Sequence, residues 1–211
     1  MIISIDGSSG SGKGTLARGL CEMYHFKHID SGLLYRKVAY YYLHVKEDLK
    51  DIDTFIKNID ILTLEDISES ILRSEEVAQK ASEIAVHEIV RNYVNEEIKR
   101  SVTDQSAQFK GFVIDGRDIG SVVFPNADVK LFLQASEDDR LTRRIQQNLE
   151  LEIDTSQVVD LQNRDKRDST RKVAPLVVPH GSMVIDTSSL SIQETLFKAK
   201  EIIDLVLGKS N

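Results

Sequence analysis

Residues 2–15 read Ile-Ile-Ser-Ile-Asp-Gly-Ser-Ser-Gly-Ser-Gly-Lys-Gly-Thr. A short apolar run leads straight into Gly7, Ser8, Ser9, Gly10, Ser11, Gly12, Lys13, Gly14 and Thr15. That spelling suits the binding of a nucleoside triphosphate. Glycines let the backbone curl around anionic oxygens and turn several N–H groups on them. Lys13 adds a cation for the β- and γ-phosphates, and the Thr15 hydroxyl can reach Mg²⁺. A helix opening near Lys13, with Leu16, Leu20 and Met23 on one face, points its positive N-terminus at the same phosphates. A bare glycine turn between strand and helix would need no lysine at this spacing.

Three further clusters carry charge. Asp30-Ser31-Gly32-Leu33-Leu34-Tyr35-Arg36 follows a strand pattern and opens a helix, with Ser31 in the capping position. A second phosphate fits there between helix end and guanidinium, although the same residues also suit an ordinary capped helix. Asp115-Gly116-Arg117-Asp118 follows another strand. Arg117 suits a phosphate, and Asp118 suits an exocyclic amine; a local ion pair is the plainer alternative. Arg164, Arg167, Asp168 and Arg171 share one helical face. Like charges at that spacing repel unless an anion lies between them, and a transferring phosphoryl group is such an anion. An exposed helix with an Arg164–Asp168 pair would use the same residues. A triphosphate loop, two arginine-bearing loops and an arginine helix call for two phosphorylated ligands, hence phosphoryl transfer rather than hydrolysis.

The elements that must position these groups alternate. Strand patterns are expected at Ile2–Asp6, Phe26–Asp30, Phe112–Asp115, Val129–Leu133 and Met183–Asp186, with helical patterns between them. The fold class is α/β: a five-stranded parallel sheet flanked by helices, with its strands covered on both faces. Ligands then sit beyond the carboxyl ends of the strands, where Asp6, Asp30, Asp115 and Asp186 fall. A final helix starts with a Ser191/Glu194 capping box and stops at Gly208.

At 211 residues the chain is expected to be one domain. The core is expected over residues 1–44, 111–149 and 173–211, interrupted by a helical insertion over 45–110 and a lid region over 150–172. A net charge of -7 argues against nucleic-acid polymers and membrane surfaces. Six of the twelve arginines nevertheless lie between Arg140 and Arg171, a store suited to a small polyanion. Cys21, the single cysteine, forms no intrachain disulfide and reads as a small buried hydrophobe. No apolar run approaches ~18 residues, and the chain opens directly on a core strand, so a cytoplasmic location is expected. A monomer is expected too.

The sequence resembles the bacterial cytidylate kinase family. The resemblance rests on GSSGSGKGT (7–15), DSGLLYR (30–36), EVAQKAS (76–82), the Arg91 region, IDGRDIGSVVFPNADVKLFLQAS (114–136), RDKRDSTRKVAPL (164–176) and DTSSLSIQET (186–195), in family order. It implies a P-loop nucleoside-monophosphate-kinase fold and transfer of the γ-phosphoryl group of ATP, with Mg²⁺, to CMP or dCMP. It further implies that Ser31, Arg36, Arg117 and Arg171 hold the monophosphate. Ser82, Arg91 and Asp118 then read cytosine, and Arg164 and Asp168 contact the sugar. Lys13, Arg117, Arg167 and Arg171 stabilise the transferring group, with no catalytic base. Family members often carry antiparallel strands in a longer insertion; here His44–Arg73 is short and shows no such pattern. A same-fold kinase for UMP, AMP or shikimate, and a non-catalytic nucleotide switch, remain the alternatives.

One expectation concerns shape. Ser82 and Arg91 lie nine residues apart, which on an unbroken helix at ~100° per residue sets them on opposite faces. If both read one base, the chain must break between them, at Ala85-Val86-His87-Glu88, where the apolar phase of Val77, Ala81 and Ile84 is lost before Ile89, Tyr93 and Val94.

Overall fold

The computed structural model describes residues 1–44, 51–59, 67–150 and 161–208. Strands β1 (Ile2–Gly7), β2 (Lys27–Asp30), β3 (Phe112–Gly116), β4 (Val129–Gln134) and β5 (Met183–Asp186) form one sheet in the order β2-β3-β1-β4-β5. Every pairing is parallel. The five strands are those expected from the sequence, with ends shifted by at most one residue. The helices are α1 (Lys13–Tyr24), α2 (Ser31–Leu43), α3 (Ile52–Asn58), α4 (Glu69–Leu72), α5 (Glu75–Ile84), α6 (Glu88–Gln105), α7 (Glu137–Glu150), α8 (Leu161–Thr170) and α9 (Ile192–Val206). A π-helical turn spans Ile119–Val123.

The period of two along each strand decides which helix layer it meets. Ile3 and Ile5 of β1 and Val113 of β3 pack with Leu16, Ala17 and Leu20 of α1 and Ala199 and Ile203 of α9. Phe112 and Ile114 of β3 face the other way, onto Val38, Val77, Ala81, Val90, Val94 and Ile98. The central strands β3 and β1 are thus covered on both faces, as expected, with Ser4 and Asp6 of β1 buried beneath the π-helical turn. β5 is not: it is an edge strand, and Met183 and Val184 are about half exposed. Met23 is exposed as well, because Ala17 and not Met23 completes the inner face of α1. Cys21 is half-buried against this core, and burial pushes its thiol up to about 11.

The helix over 76–98 is broken where the angular argument requires. α5 ends at Ile84 and α6 begins at Glu88. The Arg91 guanidinium then reaches back across the break and donates to the Ala85 carbonyl, 3.3 Å away. The buried face of α6 runs Val90, Val94 and Ile98, while Ile89 and Tyr93 are half-buried. Among the described residues of the expected insertion every element is helical; residues 45–50 and 60–66 lie outside the description, as do 151–160 of the expected lid. The Ser191/Glu194 capping box is present, and Gly208 follows the last helix at φ 65°. Among the described residues no helix is long and apolar enough to cross a membrane.

Candidate active site

A cleft of about 530 Å³ opens at the carboxyl ends of the strands. The loop from Gly7 to Lys13 forms its floor. Gly7 is needed because a Cβ there would sit 2.1 Å from the Leu133 carbonyl oxygen, and Gly10 because its φ is 75° and a Cβ would meet the Arg140 backbone at 2.8 Å. Ser9, Gly10, Ser11, Gly12, Lys13, Gly14 and Thr15 line the cleft, while Gly7 and Ser8 form the approach from β1. Lys13 folds back to donate to the Ser8 carbonyl at 2.6 Å. Burial, reinforced by Arg117 nearby, pushes the Lys13 ammonium down to about 7. An anion in the loop would reverse that.

The cap of α2 is Asp30, not Ser31 as expected: the Asp30 carboxylate accepts from the Leu33 N–H at 3.0 Å. β2 runs into α2 with no intervening residue, so the last strand residue caps the helix. The Ser31 hydroxyl instead donates to the Asp115 carbonyl at 2.7 Å, tying α2 to the end of β3. Arg36 lines the cleft and donates to the Leu72 carbonyl at 3.4 Å. Burial, with Arg144 and Arg73 alongside, lowers it to about 9. Burial, followed by Arg164 beside it, likewise lowers Arg144 to about 10. Arg36, Arg73, Arg144 and Arg164 therefore crowd one wall of the cleft against the carboxylates of Asp30 and Glu75. A dianion placed among them would relieve the crowding.

Ser82, Arg91 and Asp118 line the cleft together. Arg91 is 2% exposed and pairs with the Asp118 carboxylate, whose other oxygen lies 3.7 Å from Arg171. The Ser82 hydroxyl and the Tyr35 hydroxyl are buried with no hydrogen-bond partner among the described residues. Two such groups beside a carboxylate and a guanidinium mark a hole for a polar planar ligand. Asp115 is buried, takes the His28 ring nitrogen at 2.7 Å, and lies 4.0 Å from where a Cβ at Gly14 would stand.

α8 closes one side. Arg117 donates to Asp168 at 2.9 Å, and Asp168 lies 3.5 Å from Arg171. Arg164 pairs with Glu75. Arg167 shares this helix face but does not line the cleft; it is half-buried, and its Nε has no hydrogen-bond partner among the described residues. Asp186 is exposed, bonded to Ser188, and takes no part.

Sequence reasoning missed several participants. Arg140 pairs with Asp165, whose other oxygen accepts from the Ser9 N–H at 3.0 Å, so α7 and α8 both grip the phosphate loop. Arg143 donates to the Thr187 carbonyl at 2.6 Å, and Arg73 to Asp30 at 2.9 Å. The 140–171 arginine store was visible as composition, but no spacing rule says which of its members turn inward.

The cytidylate kinase family model matches residues 3–205. The chain is 38% identical to a cytidylate kinase of Bartonella tribocorum over 98% of its own length and 95% of that protein's. It is 40% identical to one of Methylocella silvestris, covering 96% and 93%, and 36% identical to one of Bacillus subtilis, covering 96% of each. Among solved structures, an uncharacterized protein from Eubacterium ventriosum superposes with a TM-score of 0.52 at 15% identity, over 97% of this chain and 98% of that one. A sugar kinase from Janibacter sp. gives 0.50 at 13%, over 100% and 98%. At those identities the structural likeness bears on the fold alone.

Proposed function

This chain belongs to the cytidylate kinase family and transfers the γ-phosphoryl group of ATP to CMP or dCMP, and we propose a division of labour for that transfer among the residues of the cleft. The observation that carries it is the meeting in one cavity of the phosphate loop and the Ser82–Arg91–Asp118 hole. ATP phosphates lie in the loop over Gly10–Thr15, with Lys13 on the β/γ oxygens. Ser31, Arg36, Arg117 and Arg171 take the monophosphate, and Arg164 and Asp168 the sugar. Asp115 steadies the loop that carries Arg117 and Asp118.

No side chain is required as a base. The work is alignment of two nucleotides and neutralisation of charge on the moving group. Lys13, Arg117 and Arg171 surround that group; Arg167 joins them as α8 closes over the loop. Exclusion of water at that moment limits ATP hydrolysis. The oxygen donors at the start of α1 suit Mg²⁺: Thr15 lines the cleft, and no cluster of three acidic, His or Cys ligands exists among the described residues. A hard cation held mainly by phosphate oxygens and water needs few protein ligands. When bound, Mg²⁺ would be held on the protein side by Thr15 and would supply positive charge to the triphosphate. We also place the protein in the cytoplasm as a monomer.

Asp118 accounts for cytosine over uracil. Cytosine offers an amine donor where uracil offers an oxygen, which would face the carboxylate acceptor to acceptor. In Asp118→Asn the amide turns its N–H₂ toward the uracil oxygen. The CMP-over-UMP ratio of kcat/KM is expected to fall by at least about tenfold. A coupled assay over CMP, dCMP, UMP, AMP and shikimate measures it, and an unchanged ratio would mean that Asp118 does not read the base.

Lys13 supplies a second test. With its free-enzyme value near 7, Lys13 is mostly neutral at pH 8. Triphosphate binding favours the charged form, so ATP is expected to draw up to about one proton from solution at pH 8 and less at pH 6. Calorimetry in two buffers of different ionisation heat reads that uptake. Identical heats at pH 8 would contradict it.

A further inference from the structure

Asp6 stands apart from the groups just assigned. It lies on β1, one residue before the phosphate loop, and is fully buried. Both carboxylate oxygens are committed: one accepts from the Ile119 N–H at 2.8 Å, the other from the Gly120 N–H at 2.7 Å. Those are the two residues directly after Asp118. They open the π-helical turn, whose first N–H groups have no partner within the turn itself. Farther along, the turn folds onto Asp118: the Val122 and Val123 N–H groups both approach the Asp118 carbonyl, at 2.9 and 3.2 Å. The fit against β1 is close, since a Cβ at Gly120 would come within 2.6 Å of the Ser4 hydroxyl and 3.2 Å of the Asp6 carboxylate.

A neutral cap would satisfy one N–H. A carboxylate, an acceptor at both oxygens, satisfies two at once and fixes the plane of the loop between them. Burying it in the sheet is costly unless both bonds are made. Arg91 and Arg171 aim the Asp118 side chain from the cleft side. Asp6 anchors its backbone from the sheet side, on the strand that enters the phosphate loop.

We propose that Asp6 is a specificity-determining positioning residue, which sets the aim of the Asp118 carboxylate at the acceptor base by holding the Ile119 and Gly120 N–H groups. This rests on Asp118 facing the base, as assigned above. In Asp6→Asn one of the two N–H groups meets an amide N–H₂ in place of an oxygen, and the loop rotates. The expected result is a fall of about tenfold in the CMP-over-UMP ratio of kcat/KM, with KM for ATP within about twofold of the parent. Gly120→Ala, whose methyl pushes the loop off an unaltered Asp6, is expected to lower the ratio similarly and answers the question if Asp6→Asn does not fold. Ser4→Ala, beside Gly120 but outside this contact, is expected to leave the ratio unchanged. An unchanged ratio in folded Asp6→Asn or in Gly120→Ala, a parallel rise in both KM values, or an equal loss in Ser4→Ala would each overturn the proposal. Asp118→Asn in the same assay separates the two readings. If it leaves the ratio unchanged, the base-reading role falls and this proposal with it. If it lowers the ratio while Asp6→Asn does not, Asp6 alone is removed.

Discussion

Lys13→Ala is expected to cripple phosphoryl transfer, lowering kcat by about 10²–10³-fold, while the fold persists. Lys13 is the one cation that belongs to the phosphate loop itself, between Gly12 and Gly14. It is already buried, so it loses little reorganisation energy when charge develops on the transferring group. One preorganised donor of that kind is worth ~3 kcal/mol of barrier. Its internal bonds, to the Ser8 carbonyl at 2.6 Å and the Ser11 hydroxyl at 3.5 Å, are few. Removing an ammonium that burial already disfavours should leave the unfolding midpoint unchanged or slightly raised. Steady-state turnover with CMP, beside a thermal melt, decides it. Turnover near that of the parent would undo the phosphate-loop assignment.

Arg91→Met is expected to fail in a different way, through the acceptor. Arg91 is 2% exposed, pairs with Asp118, donates to the Ala85 carbonyl at 3.3 Å, and lies 5.6 Å from the Tyr35 ring centroid. Methionine keeps the apolar stem but leaves the Asp118 carboxylate with Arg171 at 3.7 Å as its remaining guanidinium partner. Breaking a buried pair from one side costs about 3–5 kcal/mol, because the surviving charge stays desolvated. The same change strips the base site of a donor. Urea unfolding should show that loss, and KM for CMP should rise at least about tenfold with KM for ATP little changed. A variant as stable as the parent, with KM for CMP unaltered, would remove Arg91 from both the core and the site.

Much of this molecule was legible as a string. The phosphate loop, the β–α alternation and the capping box of α9 are all short-range. They depend on glycine placement, on the period of apolar residues, or on a pair three residues apart, and the structure carries each. The break between α5 and α6 was legible for the same reason. It followed from helical geometry once two residues were asked to face one ligand, and the helix ends at Ile84 and Glu88 bear it out. The reading of Ser31 as a cap failed within that same short range. Two adjacent residues, Asp30 and Ser31, both suit a cap, and which one serves depends on where β2 stops.

The tertiary structure alone decided the partners. Asp6 meets Ile119 and Gly120 more than a hundred residues away, Asp165 meets Ser9 across 156, and Arg91 meets Asp118 across 27. Periodicity tells which face of a helix a charged residue occupies. It does not tell which opposite charge the fold brings to that face. That choice depends on how the α7–α8 pair and the α5–α6 corner pack against the strand ends, and so on contacts no local pattern encodes. For the same reason Arg164 and Arg167, three residues apart on α8, part ways: one lines the cleft and the other does not.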